Sequence, residues 1–183
     1  LYSSHGSLVT GSGHFNNIVI ISDDATLAPG NSIGLMTGKL FRLSEDGKFE
    51  FEIGSANGVM GTDWDGLELS SQLWINSTVA NPFQLKLSSM GILLHDFDAS
   101  QDYEWAFAVA AGGIQSFSAD KFTIDSSGFL NDLAGGSFYV SQNGNNLVLG
   151  FSAVPEPSAL WLVSGLVAGA SLCRRRRTLI VRG

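Results

Sequence analysis

The chain has 183 residues, 44% of them hydrophobic and 15% charged, enough for one domain with a sizeable core. Residues 1–153 hold 16 Asp and Glu against five Lys and Arg (net −11), whereas residues 154–183 hold five Arg and Glu156 (net +4). An acidic body with no basic stripe argues against nucleic acid and anionic membrane as its partners. The lone cysteine, Cys173, leaves the body without a disulfide, so packing must stabilise it.

Residues 1–17 are polar and rich in Gly and Ser, and His5 and His14 are too isolated to suggest a metal site. The run Ile18-Val19-Ile20-Ile21 predicts a buried strand, closed by a turn at Ser22-Asp23-Asp24. In the next stretch, Pro29 fixes φ and Gly30 can take φ > 0, the chemistry of a type II turn between strands. The letters Leu27-Ala28-Pro29-Gly30-Asn31-Ser32-Ile33-Gly34 resemble a recurrent corner of autotransporter-type passenger repeats. That resemblance implies a right-handed parallel β-helix, with a further strand over residues 35–43.

Residues 47–54 alternate, with Phe49, Phe51 and Ile53 on one side and Lys48, Glu50 and Glu52 on the other, which predicts a half-buried strand. A loop follows over residues 55–66. Leu67 and Leu69, then Leu73 and Ile75, continue the period of two across a break at Ser70-Ser71. Phe83, Leu85 and Leu87 form the next strand face after Pro82. Residues 96–102 read as an acidic, polar linker. Tyr103, Trp105, Phe107 and Val109 then alternate with Glu104, Ala106 and Ala108, up to Gly112-Gly113. Phe122 and Ile124 mark another strand, closed at Ser126-Ser127-Gly128. Phe138 and Val140 are expected to pair with Leu147, Leu149 and Phe151 in a hairpin signalled by Asn143-Gly144. No amphipathic helix appears before residue 158. The layout of residues 38–53 recurs faintly over 70–87.

The end of the chain has a different character. Pro155-Glu156-Pro157 precedes 16 uncharged residues, 158–173, and then Arg174-Arg175-Arg176-Arg177. As a helix, 158–173 would span roughly 24 Å against a hydrocarbon core of about 30 Å, short unless the membrane thins or the arginines snorkel. Four arginines on one flank should stay cytoplasmic, placing everything before Pro155 across the membrane. A buried core helix rarely runs into such a cluster, and a signal peptide has its charges before its apolar run. The ordered triplet, a Pro-Glu-Pro motif, an apolar helix and an Arg cluster near the C-terminus, resembles the PEP-CTERM sorting signal of Gram-negative bacteria. The resemblance implies that Pro155, Glu156 and Pro157 are recognised by an exosortase, a multi-spanning membrane cysteine protease or transpeptidase. The helix would be held in the inner membrane and the tail removed. The ending beyond the arginines, residues 178–183, is slightly long for that signal.

Much of the body also resembles the C-terminal region of one group of PEP-CTERM proteins. The matching letters include Phe51-Glu52-Ile53, Gly61-Thr62-Asp63-Trp64-Asp65, Asn81-Pro82-Phe83, Phe97-Asp98, Phe122-Thr123-Ile124 and Gly136-Ser137-Phe138. This implies a β-solenoid passenger ending in a capping β-sheet and carries no catalytic residues.

Several constellations invite chemistry. Asp63 and Asp65 have the spacing of half a calcium loop, but an EF-hand pattern needs a third polar ligand and a later Glu, so a solvated turn is the plainer reading. Asp96, Asp98 and Asp102 form a second acidic group, read as a hydrated loop. Glu50 and Glu52 share a strand face about 7 Å apart, within the range of a glycosidase pair, as on any charged half-exposed strand. Trp64 and Trp74 could stack on sugars if exposed, whereas Trp105 belongs to the core. No nucleophile elbow, zinc pattern or phosphate loop is present.

The expected architecture is all-β: parallel β-helix or solenoid-like rungs with a C-terminal capping β-sheet over residues 1–153, a sandwich being the alternative. One short transmembrane helix follows within the sorting signal, residues 154–183. The chain, which begins at Leu1, is expected to be the C-terminal part of a longer exported protein. The expected function is a non-enzymatic scaffold of the cell envelope or extracellular matrix. Its partners would be the exosortase, the inner membrane before processing, and exopolysaccharide or the outer envelope. No cofactor is expected, calcium at Asp63 and Asp65 being a weak candidate. The alternative is a carbohydrate-binding or polysaccharide-active protein with the same tail, and a third reading keeps the tail as an uncut anchor.

Overall fold

The computed structural model describes residues 1–2 and 5–155. Glu156, Pro157, the apolar segment 158–173 and Arg174, Arg175, Arg176 and Arg177 lie outside the described residues, so the expected membrane helix falls there. Among the described residues no helix is long and apolar enough to cross a membrane.

Alternating side chains make strands almost everywhere the sequence predicts them. The strands are β1 (Leu8–Gly11), β2 (His14–Ile21), β3 (Thr26–Pro29), β4 (Leu35–Leu43), β5 (Lys48–Glu52), β6 (Gly66–Leu69), β7 (Leu73–Ile75), β8 (Phe83–Ser88), β9 (Tyr103–Ala110), β10 (Ile114–Gln115), β11 (Phe122–Gly128), β12 (Ser137–Asn143) and β13 (Asn146–Ser152). A single 3-10 turn, Ala119–Lys121, is the helical structure among the described residues. The fold is all-β, as expected.

Two sheets face each other. The first has five strands in the order β1-β3-β5-β8-β11, and its pairs are all parallel. The second has eight strands in the order β10-β7-β4-β6-β9-β13-β12, with β2 added on β4. It is parallel except where β13 runs antiparallel to both β9 and β12. Parallel neighbours need a crossover. Here strands of the opposite sheet supply it: the chain leaves the five-stranded sheet after β1, β3, β5, β8 and β11 and returns after β2, β4, β7 and β10.

In-register pairing stacks like on like. Val9, Leu27, Phe49, Leu85 and Ile124 are successive partners in one sheet, and Val19, Phe41, Leu73 and Ile114 in the other. The inner rows meet where Phe107 of β9 packs edge-on against Phe49 and Phe51, with ring centroids 5.4 and 6.1 Å apart. All three rings are fully buried, each contributing about 1.5–3 kcal/mol from the area removed from water. The corner between β3 and β4 is built as its residues predict. Gly30 has φ +85°, and a Cβ there would lie 2.2 Å from the Ser32 carbonyl oxygen. Gly34 approaches so closely that its Cβ would lie 2.7 Å from the Gly30 Cα.

One stretch left without an element gains strands, and three expectations are corrected. The polar stretch 1–17 contains β1 and the start of β2, because single inward residues such as Val9 suffice when the ladder bonds come from β3 and β4. The run 18–21 is half-buried: Val19 and Ile21 point inward, while Ile18 is 44% exposed on the outer face. In β9 a bulge between Ala106 and Ala108 turns Ala108 and Ala110 inward and leaves Val109 half-buried. In the last hairpin the loop residues are Gly144 and Asn145, and only Gly144 has positive φ (+59°), the pattern of a type II′ turn. The predicted partners Phe138–Phe151 and Val140–Leu149 do face each other.

Candidate functional site

Long crossings from the five-stranded to the eight-stranded sheet must satisfy their own backbone donors. The acidic residues near them perform that task. Asp65 is buried, with Oδ1 accepting from the Gly34 N–H at 2.7 Å and Oδ2 from the Glu52 N–H at 2.9 Å. It therefore ties the β3–β4 corner to the end of β5. Burial raises its carboxyl, the two amide donors lower it, and the Glu52 and Glu50 charges add to the rise, leaving it at about 7. Asp63 closes its own loop by accepting from the Val59 N–H at 2.9 Å. The solvated-turn reading of Asp63-Trp64-Asp65 thus fails at Trp64 and Asp65, which are buried.

The group at 96–102 is likewise more than a hydrated linker. The Asp96 carboxylate accepts from the N–H groups of Ala56 and Asn57 and from the Ser55 hydroxyl, at 3.0, 2.8 and 2.7 Å. Partial burial alone would raise Asp96, but these donors outweigh it and bring its pKa to about 2. Phe97 turns inward and packs on Tyr103, Phe129 and Phe151. Two tryptophans brace the same loops: Trp64 Nε1 donates to the Ala106 carbonyl and Trp105 Nε1 to the Ala56 carbonyl, both at 2.9 Å. Trp64 is therefore not a sugar platform. Among the described residues no three His, Cys, Asp or Glu side chains converge as metal ligands, and Asp65 is already committed to backbone donors.

The outer face of the five-stranded sheet carries a shallow groove. Glu50, Lys86 and Asp125 are register partners on β5, β8 and β11, and Lys86 Nζ lies 3.2 Å from Glu50 Oε1. Beside them lie Glu52, Ser88 and Ser127, and the hollow continues past Glu52 to Asn31, Ser32 and Thr10. Burial, and then the Glu50 charge, raise the Glu52 carboxyl, although Glu50 is paired with Lys86. No aromatic ring lines the groove.

The outer face of the other sheet differs. Ile20, Arg42, Trp74 and Gln115 form one register row across β2, β4, β7 and β10. The Arg42 guanidinium carbon sits 5.9 Å from the Trp74 ring centroid, and Gln72 Oε1 accepts from Trp74 Nε1 at 3.2 Å. Arg42 Nε is buried without a hydrogen-bond partner. Sequence reading grouped Trp74 with Trp64; the partner it missed is Arg42, visible only once β4 and β7 are placed in register.

Of the sorting residues, Pro155 alone is described. It is exposed, three residues beyond β13, beside Ser100, Gln101 and Asp102. The Ala153 N–H donates to Asp102 Oδ1 at 2.8 Å and is the last bond tying the described chain to the body. Comparison with family models, with curated proteins and with solved structures finds no match.

Proposed function

We propose that the chain is an exported scaffold of the bacterial cell envelope or extracellular matrix, sorted and cut by an exosortase through residues 154–183. The observation that carries this reading is where the body stops. The last strand ends at Ser152, Ala153 is anchored on Asp102, and Val154 and Pro155 stand exposed. The Pro155-Glu156-Pro157 triplet therefore begins where a membrane enzyme could grip it without unfolding a strand. Supporting a solenoid body are the all-parallel five-stranded sheet and the regular alternation of the chain between two sheets. The antiparallel β12–β13 hairpin on β9 fits a capping sheet. The body then works by presenting its sheet faces, with no reaction assigned to it.

The test is the intact mass of the mature protein from cells with and without the exosortase. Loss of residues from near Pro155 onward, only when the enzyme is present, is expected. The double variant Pro155→Ala, Pro157→Ala should stay unprocessed. A chain ending at Gly183 in both strains would make the tail an ordinary anchor and sink the sorting mechanism. A second reading, carbohydrate binding, is favoured by the Arg42–Trp74 face.

A further inference from the structure

We infer that the outer face of the eight-stranded sheet, centred on Arg42 and Trp74, binds a carboxylate-bearing polysaccharide such as a polyuronate. The inference deepens the carbohydrate-binding reading and does not rest on the sorting tail. Five cations lie in residues 1–153. Three are engaged: Lys48 with Asp24 at 3.1 Å, Lys86 with Glu50 at 3.2 Å, and Lys121 with the Ser116 carbonyl at 2.8 Å. The other two, Lys39 and Arg42, both lie on β4, and neither has a carboxylate partner among the described residues. Lys121 also lacks a carboxylate but spends its ammonium on the Ser116 and Ile75 carbonyls, so on a body of net charge −11 the two cations with neither an ion pair nor a hydrogen bond among the described residues share one strand.

What surrounds them narrows the ligand. A guanidinium fork matches a carboxylate with two parallel hydrogen bonds, and the Arg42 guanidinium, set over Trp74, has no carboxylate partner of its own among the described residues. The Trp74 indole, held by Gln72, offers a flat apolar ring on the same row. Ile18 and Leu40, partners on the neighbouring row, extend that apolar surface. A sugar acid presents the matching pair, a carboxylate and an apolar ring face. An acidic peptide presents the charge without the ring. Glu68 on β6 and Glu104 on β9 carry the opposite charge on the same face; the acidic body repels a polyanion there and elsewhere, which confines binding to the Arg42–Trp74 end and makes it sensitive to salt.

The experiment titrates the full chain, in mild detergent, with polygalacturonate by calorimetry, using dextran and polyglutamate as controls. Polygalacturonate should bind, more weakly as NaCl rises from 50 to 500 mM (chosen conditions, spanning Debye lengths of roughly 14 to 4 Å), and the controls should not. Arg42→Gln and Trp74→Ala should each weaken binding roughly tenfold, the loss of one charge-assisted bond or one stacking contact. Lys39→Gln, at an exposed position that cannot disturb the core, should weaken it by a smaller factor. Circular dichroism checks each fold, and Trp74→Phe replaces the alanine variant if that one is disordered. Failure of polygalacturonate to bind, equal binding of polyglutamate or dextran, or affinity unchanged in Arg42→Gln and Lys39→Gln would each overturn the inference. Processing by the exosortase is read by a separate mass measurement, so either proposal can fail alone.

Discussion

Asp65 joins two segments 13 and 31 residues away through one carboxyl group, and its environment sets a pH dependence. Its pKa is about 7 in the folded chain against 3.8 for the ordinary group. Between those values the folded state holds a proton that the unfolded state has released, so stability from this group is full below about pH 4 and declines as pH rises towards 7. Asp65→Asn should cost about 1–3 kcal/mol, because its NH2 must face one of two backbone donors. The gap between variant and wild type in urea unfolding should be wider at pH 5 than at pH 8. Asp96 has the opposite sign. Its pKa is lowered to about 2, so its contribution is present above about pH 4 and disappears as pH falls through 2. Asp96→Ala should therefore be less stable than wild type at pH 6, with the difference vanishing at the acid end of a melting series. Sequence spacing marked both residues as acidic features but not as clamps, because their donors belong to other crossings.

At the scale of elements, the β3–β4 corner was legible because backbone geometry is a local matter. Pro29 and Gly30 specify the turn wherever they stand. Gly34 is needed for a reason the turn type does not reveal: its α-carbon rests on Gly30. Gly30→Ala and Gly34→Ala should each destabilise by more than ~1 kcal/mol, seen as a lower melting temperature with the strand signal retained below the transition. The β12–β13 hairpin was equally legible, since two alternating runs about a short Gly/Asn loop pair with each other. The face switch in β9 was not legible. Nothing in Phe107-Ala108-Val109 announces the bulge, which lies in the β9–β13 pairing, where Leu147 and Val148 oppose Ala108 and Ala106.

At the scale of the molecule, the two sheets share one core, and Phe107 is a bridge between their inner faces. Phe107→Ala should cost about 3–5 kcal/mol and bring both sheets down in a single transition, which far-UV circular dichroism and tryptophan fluorescence should report at the same temperature. Separate transitions would mean that the sheets are not one cooperative unit. The processing test belongs at this scale too, since it asks whether a folded body and its tail are handled as separable parts.

Period-two alternation, turn residues and the charge division between body and tail were determined by the sequence alone. Each depends on neighbours within a few positions: side chains of a strand alternate by geometry, and a Gly or Pro sets its own dihedrals. That is enough for an all-β body and a hairpin at its end. Which strands are neighbours, which acids are spent on backbone donors, and which tryptophan stays on the surface were decided by tertiary structure. Parallel partners here come from successive circuits of the chain, so their side chains meet only after the intervening strands have crossed to the other sheet and back. Asp65 reaches Gly34, Trp64 turns under β9, and Arg42 meets Trp74 through those long-range registers.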